Sequence, residues 1–192
     1  IARAIAHEWA RNGHPLYLAG RKAAAEIAPD AQDIAIRHNV EARALEFDAL
    51  AYETHEAFYA SLNPKPSVVI CVLGYMPEQK ASEQDFKQAR DVMATNYIGC
   101  ANILSIAAND LEARKEGGII GISSVAGERG RASNYFYGSA KAGFTAFLSG
   151  LRNRLAFAGV HVMTVKPGFV RTKMTEGLPL PGPITADPEQ VA

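Results

Sequence analysis

The chain has 192 residues, 48% of them hydrophobic, and its twenty basic side chains are balanced by twenty acidic ones. That length supports one well-cored domain and is short for two, while a neutral balance without a basic run points away from nucleic acid and anionic membrane surfaces, leaving small molecules and copies of the chain itself as the expected partners. Two cysteines (Cys71, Cys100) and five scattered histidines lack disulfide or metal-ligand spacing, and no apolar stretch reaches the roughly 18 residues of a membrane span, so no metal is expected and the cytosol is the default address.

Residues 1–10 place their apolar side chains in the 3.6 period with no capping residue ahead, and read as a helix already under way, with something N-terminal expected to be missing. Asn12-Gly13 stops it. Pro15-Leu16-Tyr17-Leu18-Ala19-Gly20 reads as a short strand ending at Arg21, followed by a helix that starts at Ala23 or Pro29 and runs to His38. A second strand over 40–47 closes on Asp48, and 52–62 is expected to be helical until Asn63-Pro64-Lys65-Pro66 breaks it. Residues 67–73 form an apolar run without polar alternation, the pattern of a parallel strand covered on both faces. A long helix in one or two pieces is expected from about 85 to 114, a strand over 119–123 after Gly117-Gly118, a helix over 137–158, and a strand over 160–165 ended by Pro167-Gly168.

The proline-rich segment 177–183 follows a strand's carboxyl end, where open α/β sheets bind ligands, and is read as a substrate lid in preference to a mere loop. Asp187-Pro188 looks like the cap and first position of another helix, so both ends read as cut from a longer protein. Strands and helices alternate throughout, which predicts an α/β parallel sheet of right-handed crossovers.

The chemistry concentrates in two places. Tyr137 and Lys141 lie one helical turn apart, so an ammonium faces a phenol and favours its ionised form; such a tyrosine can work as a general acid or base near neutral pH. Thirteen residues before Tyr137, Ser124 closes Gly121-Ile122-Ser123-Ser124 at a strand end, from which its hydroxyl could hold a carbonyl or alcohol against the tyrosine. Taken alone, the tyrosine and lysine read in preference as an ordinary half-buried ring beside a solvated ammonium, and the rest of the chain reverses that preference.

The order of elements together with Asp48, Asn96 in Thr95-Asn96-Tyr97-Ile98-Gly99, Ser124, Tyr137 with Lys141, and Pro167-Gly168-Phe169-Val170-Arg171-Thr172 resembles the short-chain dehydrogenase/reductase family, of the classical type, over essentially the whole chain. The resemblance implies a Rossmann fold, a doubly wound parallel sheet flanked by helices whose first strand and glycine-rich loop lie outside the sequence. It further implies one NAD(P)-binding domain over 1–192, with 173–192 as the lid region. On this reading Tyr137 is the acid/base, Lys141 lowers its pKa and holds the nicotinamide ribose, Ser124 orients the substrate oxygen, and Asn96 anchors a proton-relaying water. Asp48 would meet the adenine, Gly74 would let the backbone approach the cofactor, and Thr172 with the Val170 backbone, after Pro167-Gly168, would hold the cofactor's phosphate and carboxamide ends. Two departures stand out: Ala2 sits where the fingerprint usually ends in glycine, and Val72-Leu73-Gly74-Tyr75 replaces the usual Asn-Ala-Gly.

The strand before Arg21 ends without the acid that NAD-preferring proteins use for the ribose 2′-hydroxyl, and Arg21 with Lys22 suits a 2′-phosphate, so NADP(H) is favoured over NAD(H). The stretch 131–143 with 170–174 looks similar to reductases of a decaprenylphosphoryl 2-keto-pentose, which implies a keto sugar on a polyprenyl phosphate, with Arg129 or Arg131 available to a phosphate. The alternatives are a reductase of 3-oxoacyl thioesters or of a small ketone or steroid, and a non-catalytic NADP(H)-binding regulator. A serine hydrolase fits poorly, because Gly121-Ile122-Ser123-Ser124-Val125 lacks the second glycine of a nucleophile elbow. The helices over 85–114 and 137–158 are expected to pair in a homodimer or homotetramer, the second through apolar residues in excess of one stripe: Phe144, Phe147, Leu148, Leu151, Leu155 and Phe157.

Overall fold

The computed structural model describes residues 1–192, which form two units, Ile1–Asp48 with Phe169–Ala192, and Ala49–Gly168.

In the first unit, helix α1 (Ala2–Arg11) buries Ile5, Ala6 and Ala10, the apolar face foreseen from its periodicity. Strand β1 (Leu16–Gly20) is followed by a π turn (Ala23–Ile27), helix α2 (Ala28–His38) and strand β2 (Ala42–Glu46). Parallel strands need a crossover, and α2 supplies it: β1 and β2 pair in parallel from Leu16 opposite Ala42 to Gly20 opposite Glu46. Both candidate starts of the second helix are therefore in use, the π turn from Ala23 and the α-helix with Pro29 in its first turn. Asn39 ends α2 in the left-handed conformation at φ 53°, which its short polar side chain tolerates. Ala6, Ala10 and Ile34 form the buried centre, with Leu16, Leu18, Val40 and Ala42 packed around it.

The C-terminal part of this unit is built from short pieces. Strand β6 (Phe169–Val170) pairs in parallel with β7 (Thr185–Ala186), and Arg171 closes the pairing with an ion pair to Asp187 at 2.8 Å. Between and after them lie single 3₁₀ turns, Lys173–Thr175, Gly182–Ile184 and Pro188–Gln190. The helix expected to start at Asp187 is the last of these, with Asp187 and Gln190 capping each other reciprocally.

The second unit holds helix α3 (His55–Ser61), entered through a 3₁₀ turn at Tyr52–Thr54, strand β3 (Val68–Cys71), helices α4 (Gln79–Gln84) and α5 (Phe86–Met93), a π turn (Ala94–Ile98), helix α6 (Gly99–Arg114), strand β4 (Gly118–Ile122), helix α7 (Tyr135–Leu155) and strand β5 (His161–Val165). Its sheet is parallel in the order β3-β4-β5. Leu104 and Leu111 of α6, Phe144, Leu148 and Leu155 of α7, and Ile119 of β4 are fully buried and make its core.

Three sequence expectations need correcting. The run 67–73 is not buried along its length: only Cys71 of β3 is, and the rest of the strand is half-buried. Helix α4 was not foreseen, since Gln79-Lys80-Ala81-Ser82-Glu83-Gln84 carries no apolar period to announce it. Of the six apolar residues of α7 and its end, Phe144, Leu148, Leu151 and Leu155 are buried within this chain, Phe147 is half-buried and only Phe157 stands fully exposed.

Candidate active site

The carboxyl end of β4 is where the site begins. The Ser123 N–H donates to Val165 O at 2.7 Å, and its hydroxyl donates to Lys141 O at 3.0 Å and meets Thr145 Oγ1 at 2.7 Å, so one small buried residue ties β4 to both β5 and α7. Ser124, next along, caps a 3₁₀ turn (Val125–Gly127), its Oγ accepting from Ala126 N–H at 3.1 Å. That turn lies against α7 as closely as backbone allows. A Cβ on Gly138 would stand 2.7 Å from Ala126 O, and one on Gly127 would stand 2.7 Å from Ala142 N. Both glycines are present for space, and the result is that Ser124 is held over the first turns of α7. Val125 N–H donates to Pro167 O at 3.2 Å, which brings the Pro167-Gly168 turn to the same strand ends.

Tyr137 and Lys141 project from α7 toward this point. The Tyr137 hydroxyl faces the Ser124 side chain, and burial pushes the phenol's pKa up, opposed by the Ser124 hydroxyl. Lys141 does not bring it down, contrary to expectation. Its ammonium lies 5.8 Å from the centre of the Tyr137 ring and is fastened elsewhere, donating to Leu73 O and Ile122 O, each at 3.1 Å. Lys141 is itself 2% exposed, and burial lowers its pKa, opposed by the neighbouring Cys100 and Cys71 thiols. Those two thiols lie beside each other, a proximity that their separation in sequence did not reveal, and Cys100 Sγ donates to Thr95 O at 3.3 Å.

Lys141 has no carboxylate within ion-pair distance, and two of its three hydrogens are taken by carbonyls. A buried cation with one hydrogen left to give suits a ligand carrying hydroxyl acceptors beside the phenol, as the two hydroxyls of a nicotinamide ribose would be. The residues present thus fit the cofactor that the sequence implied.

Asn96 sits in the π turn between α5 and α6 and is fully buried. π turns inside helices frequently mark functional sites. Its amide donates to Tyr75 O at 2.6 Å and to Val92 O at 2.8 Å, while its oxygen accepts from Tyr75 N–H at 3.3 Å. Asn96 therefore holds the loop after β3, in which Leu73 receives Lys141 and Gly74 adjoins Tyr75. With both amide hydrogens engaged, the water expected at this side chain has only the oxygen to bind. Ser124, Tyr137, Lys141, Asn96, Gly74, Pro167 and Gly168 all belong to the second unit.

The other residues expected at the cofactor belong to the first unit. Arg21 follows β1 on an exposed turn and its guanidinium makes no hydrogen bond or ion pair with the protein. The turn itself is fixed, because the Glu46 carboxylate accepts from Lys22 N–H at 2.9 Å and Ala23 N–H at 2.8 Å, with Lys22 left-handed at φ 56°. Asp48 stands just past β2 and is half-buried. Val170 is buried in β6, its carbonyl accepting from the Thr175 hydroxyl at 2.7 Å; Thr172 and Thr175 form a capping box. Sequence reasoning started helix α7 at Tyr137 and gave no role to Asn134, which the structure places at its N-cap.

The family profile described as short chain dehydrogenase matches residues 1–180. An uncharacterised oxidoreductase of Mycobacterium tuberculosis (strain H37Rv) is 34% identical over 183 residues, which cover 94% of this chain and 73% of that protein. A short-chain dehydrogenase of Sphingobium yanoikuyae, solved in complex with NADPH, superposes with a TM-score of 0.87 at 20% identity, covering 98% of this chain and 75% of its own. A 3-oxoacyl-[acyl-carrier protein] reductase of Brucella melitensis, solved in complex with NAD, gives 0.78 at 26% identity, covering 90% and 70%. The fold is accordingly the Rossmann-type α/β arrangement expected from the sequence, with parallel strands flanked by helices. No helix is long and apolar enough to cross a membrane.

Proposed function

The chain belongs to the short-chain dehydrogenase/reductase family, NAD(P)-dependent oxidoreductases of carbonyl and alcohol groups, and we propose that it is an NADP(H)-dependent ketone reductase in which Tyr137 is the acid. The observation that carries this reading is the buried Lys141 ammonium, without a carboxylate, one helical turn from a phenol that faces Ser124. When bound, the nicotinamide supplies hydride to the carbonyl carbon. The Ser124 hydroxyl holds the substrate oxygen, and Tyr137 gives that oxygen a proton as negative charge develops on it. A phenol kept protonated by burial is ready to donate across the neutral range, which favours reduction over alcohol oxidation. Lys141 directs its remaining hydrogen to the ribose hydroxyls and offsets the phenolate left after proton transfer. Asn96 acts through the loop it holds, keeping the Leu73 carbonyl in place for Lys141.

NADP(H) over NAD(H) is supported by Arg21, whose free guanidinium is carried on a turn that Glu46 fixes, the arrangement that a 2′-phosphate needs. Asp48, Gly74, Pro167, Gly168, Val170 and Thr172 complete the proposed cofactor set, within one functional domain whose lid is 173–192. Exposed apolar side chains on the lid segment, Leu178 at 49% and Ile184 at 67%, support a lipid-linked keto sugar as substrate. The likeness to the Brucella enzyme favours a second reading, a 3-oxoacyl thioester.

The deciding experiment follows NADPH and NADH absorbance with a panel of ketones, keto sugars and 3-oxoacyl thioesters. Tyr137→Phe is expected to lower kcat by 10²–10⁴-fold with cofactor affinity nearly intact, the range for a lost general acid. Retention of more than about a tenth of kcat would remove Tyr137 from that role. Arg21→Asp is expected to erase the preference for NADPH in kcat/KM; an unchanged ratio would place the 2′-phosphate elsewhere.

A further inference from the structure

Helices α1 and α2 meet across a pair of half-buried histidines. His7 Nδ1 and His38 Nε2 stand 3.0 Å apart, with the two rings inclined at 69°. The pair lies at the margin of the first unit's buried centre, since Ala6 precedes His7 and Ile34 stands one turn before His38. A contact at this distance is a hydrogen bond only while one nitrogen carries the hydrogen and the other offers its lone pair. Once both imidazoles are protonated, neither nitrogen has a lone pair to offer, and two like charges face each other.

The surroundings hold no spare carboxylate for those charges. His7 Nε2 lies 3.7 Å from Asp33, but Asp33 already receives Arg37 at 2.9 Å and lies 3.9 Å from Arg3, which also pairs with Asp30 at 3.3 Å. Two carboxylates thus meet two guanidinium groups before either histidine takes up a proton. On the elements packed against the two helices, Glu46 of β2 is engaged by the Lys22 and Ala23 N–H groups, Arg43 of β2 pairs with Glu41, and Glu26 of the π turn pairs with Lys22. Strand β1 adds Tyr17, and the turn Pro188–Gln190 brings Glu189 to α1. Burial lowers the His7 pKa, opposed by Asp33, while His38, Arg3 and Arg37 act with burial.

We infer that His7 and His38 form an acid-labile latch between α1 and α2, closed while the two rings share one hydrogen and opened when each carries its own proton. The inference goes beyond the reductase reading and does not depend on it. The turn bearing Arg21 runs into α2, so acid loosens the proposed cofactor contact in the first unit, while Ser124, Tyr137 and Lys141 belong to the second. A histidine whose folded pKa lies below its ordinary value binds fewer protons folded than unfolded. The latch therefore contributes fully above about pH 6.5, and its contribution is lost as pH falls from there through the folded pKa.

The test is a series of urea midpoints of the whole chain between about pH 7.5 and pH 5, where ordinary carboxylates stay largely ionised, for the wild type, His38→Gln and His7→Gln. Glutamine can hydrogen-bond at the interface but takes up no proton. The wild-type midpoint is expected to fall over that range by about 0.5 M more than that of either variant. Titration of the imidazole C–H resonances of the wild type needs no variant: two of the five histidines should titrate together in two steps. In His38→Gln the His7 titration should move upward. Parallel midpoint curves in all three proteins would assign any acid loss to another group, such as His55, buried against Asn102 at 3.2 Å, and would overturn the latch. Histidines that each titrate in a single step would overturn it as well.

Discussion

Lys141 carries two jobs that oppose each other. Its ammonium lies buried among backbone carbonyls and thiols with no carboxylate to neutralise it, an unfavourable placement for the fold and a useful one for a site that must meet an ionising phenol. The linkage has a definite sign. A lysine whose folded pKa lies below its ordinary value binds fewer protons folded than unfolded, so its penalty is fully present below the folded pKa and is relieved as pH rises from there to about 10.5. Wild-type stability is therefore expected to rise relative to Lys141→Met as pH increases through that window, measured by denaturant midpoints at successive pH values. Parallel stability curves would mean that the ammonium is as well solvated in the folded chain as in the unfolded one.

The helix α7 positions the site only because one of its own residues, Gly138, and one in the turn packed on it, Gly127, lack side chains. Gly138 is a poor helix former in the fourth position of a long helix, and by propensity alone an alanine there should add up to about 1 kcal/mol of stability. The Ala126 carbonyl, 2.7 Å from where the new Cβ would stand, opposes this, because relieving the clash costs about 1–3 kcal/mol and moves the turn that carries Ser124. Gly138→Ala is thus expected to change the unfolding midpoint little while lowering kcat/KM by at least about tenfold, since small misplacements of reacting groups are costly to rate. A variant that kept full activity would show that the turn has room to move without consequence. The π turn at Ala94–Ile98 plays a comparable part on the other side of the loop after β3, presenting Asn96 inward where a regular helix would rotate it away.

Association between copies of the chain is the prediction that belongs to the whole molecule. Tyr97 and Ile98, at 37% and 49% exposed, border a groove between α3 and α6 whose lining mixes Tyr52 and Ile106 with Glu53, Glu56, Asn102, Ser105 and Asn109. Exposed apolar residues beside a polar rim of this kind are commonly covered by a two-fold partner. The patch lies within 85–114, the first of the two segments expected to pair; in the second, most of the apolar residues of α7 face the core of its own unit, leaving Phe157 outside. Light scattering at micromolar concentration should give a dimer or tetramer mass, and Ile98→Lys should shift it toward the monomer. A monomeric wild type would end the proposal.

The sequence by itself determined the alternation of strands and helices apart from α4, the parallel sheet, and Ser124, Tyr137 and Lys141 as the candidate set, because each is written in local pattern: apolar runs of strand length, the 3.6 period, and a phenol and an ammonium one turn apart on a helix. Arg21 without an acid was equally legible, since charge type at a strand end needs no fold to be read. What only the tertiary structure decided depends on contacts between distant residues. Burial raises the Tyr137 pKa, and Leu73 and Ile122, far apart in sequence, capture the Lys141 ammonium. Asn134 becomes a buried acceptor without a donor only where α4 and the loop before it close around the start of α7, since desolvation is a property of the packed molecule and not of the residue.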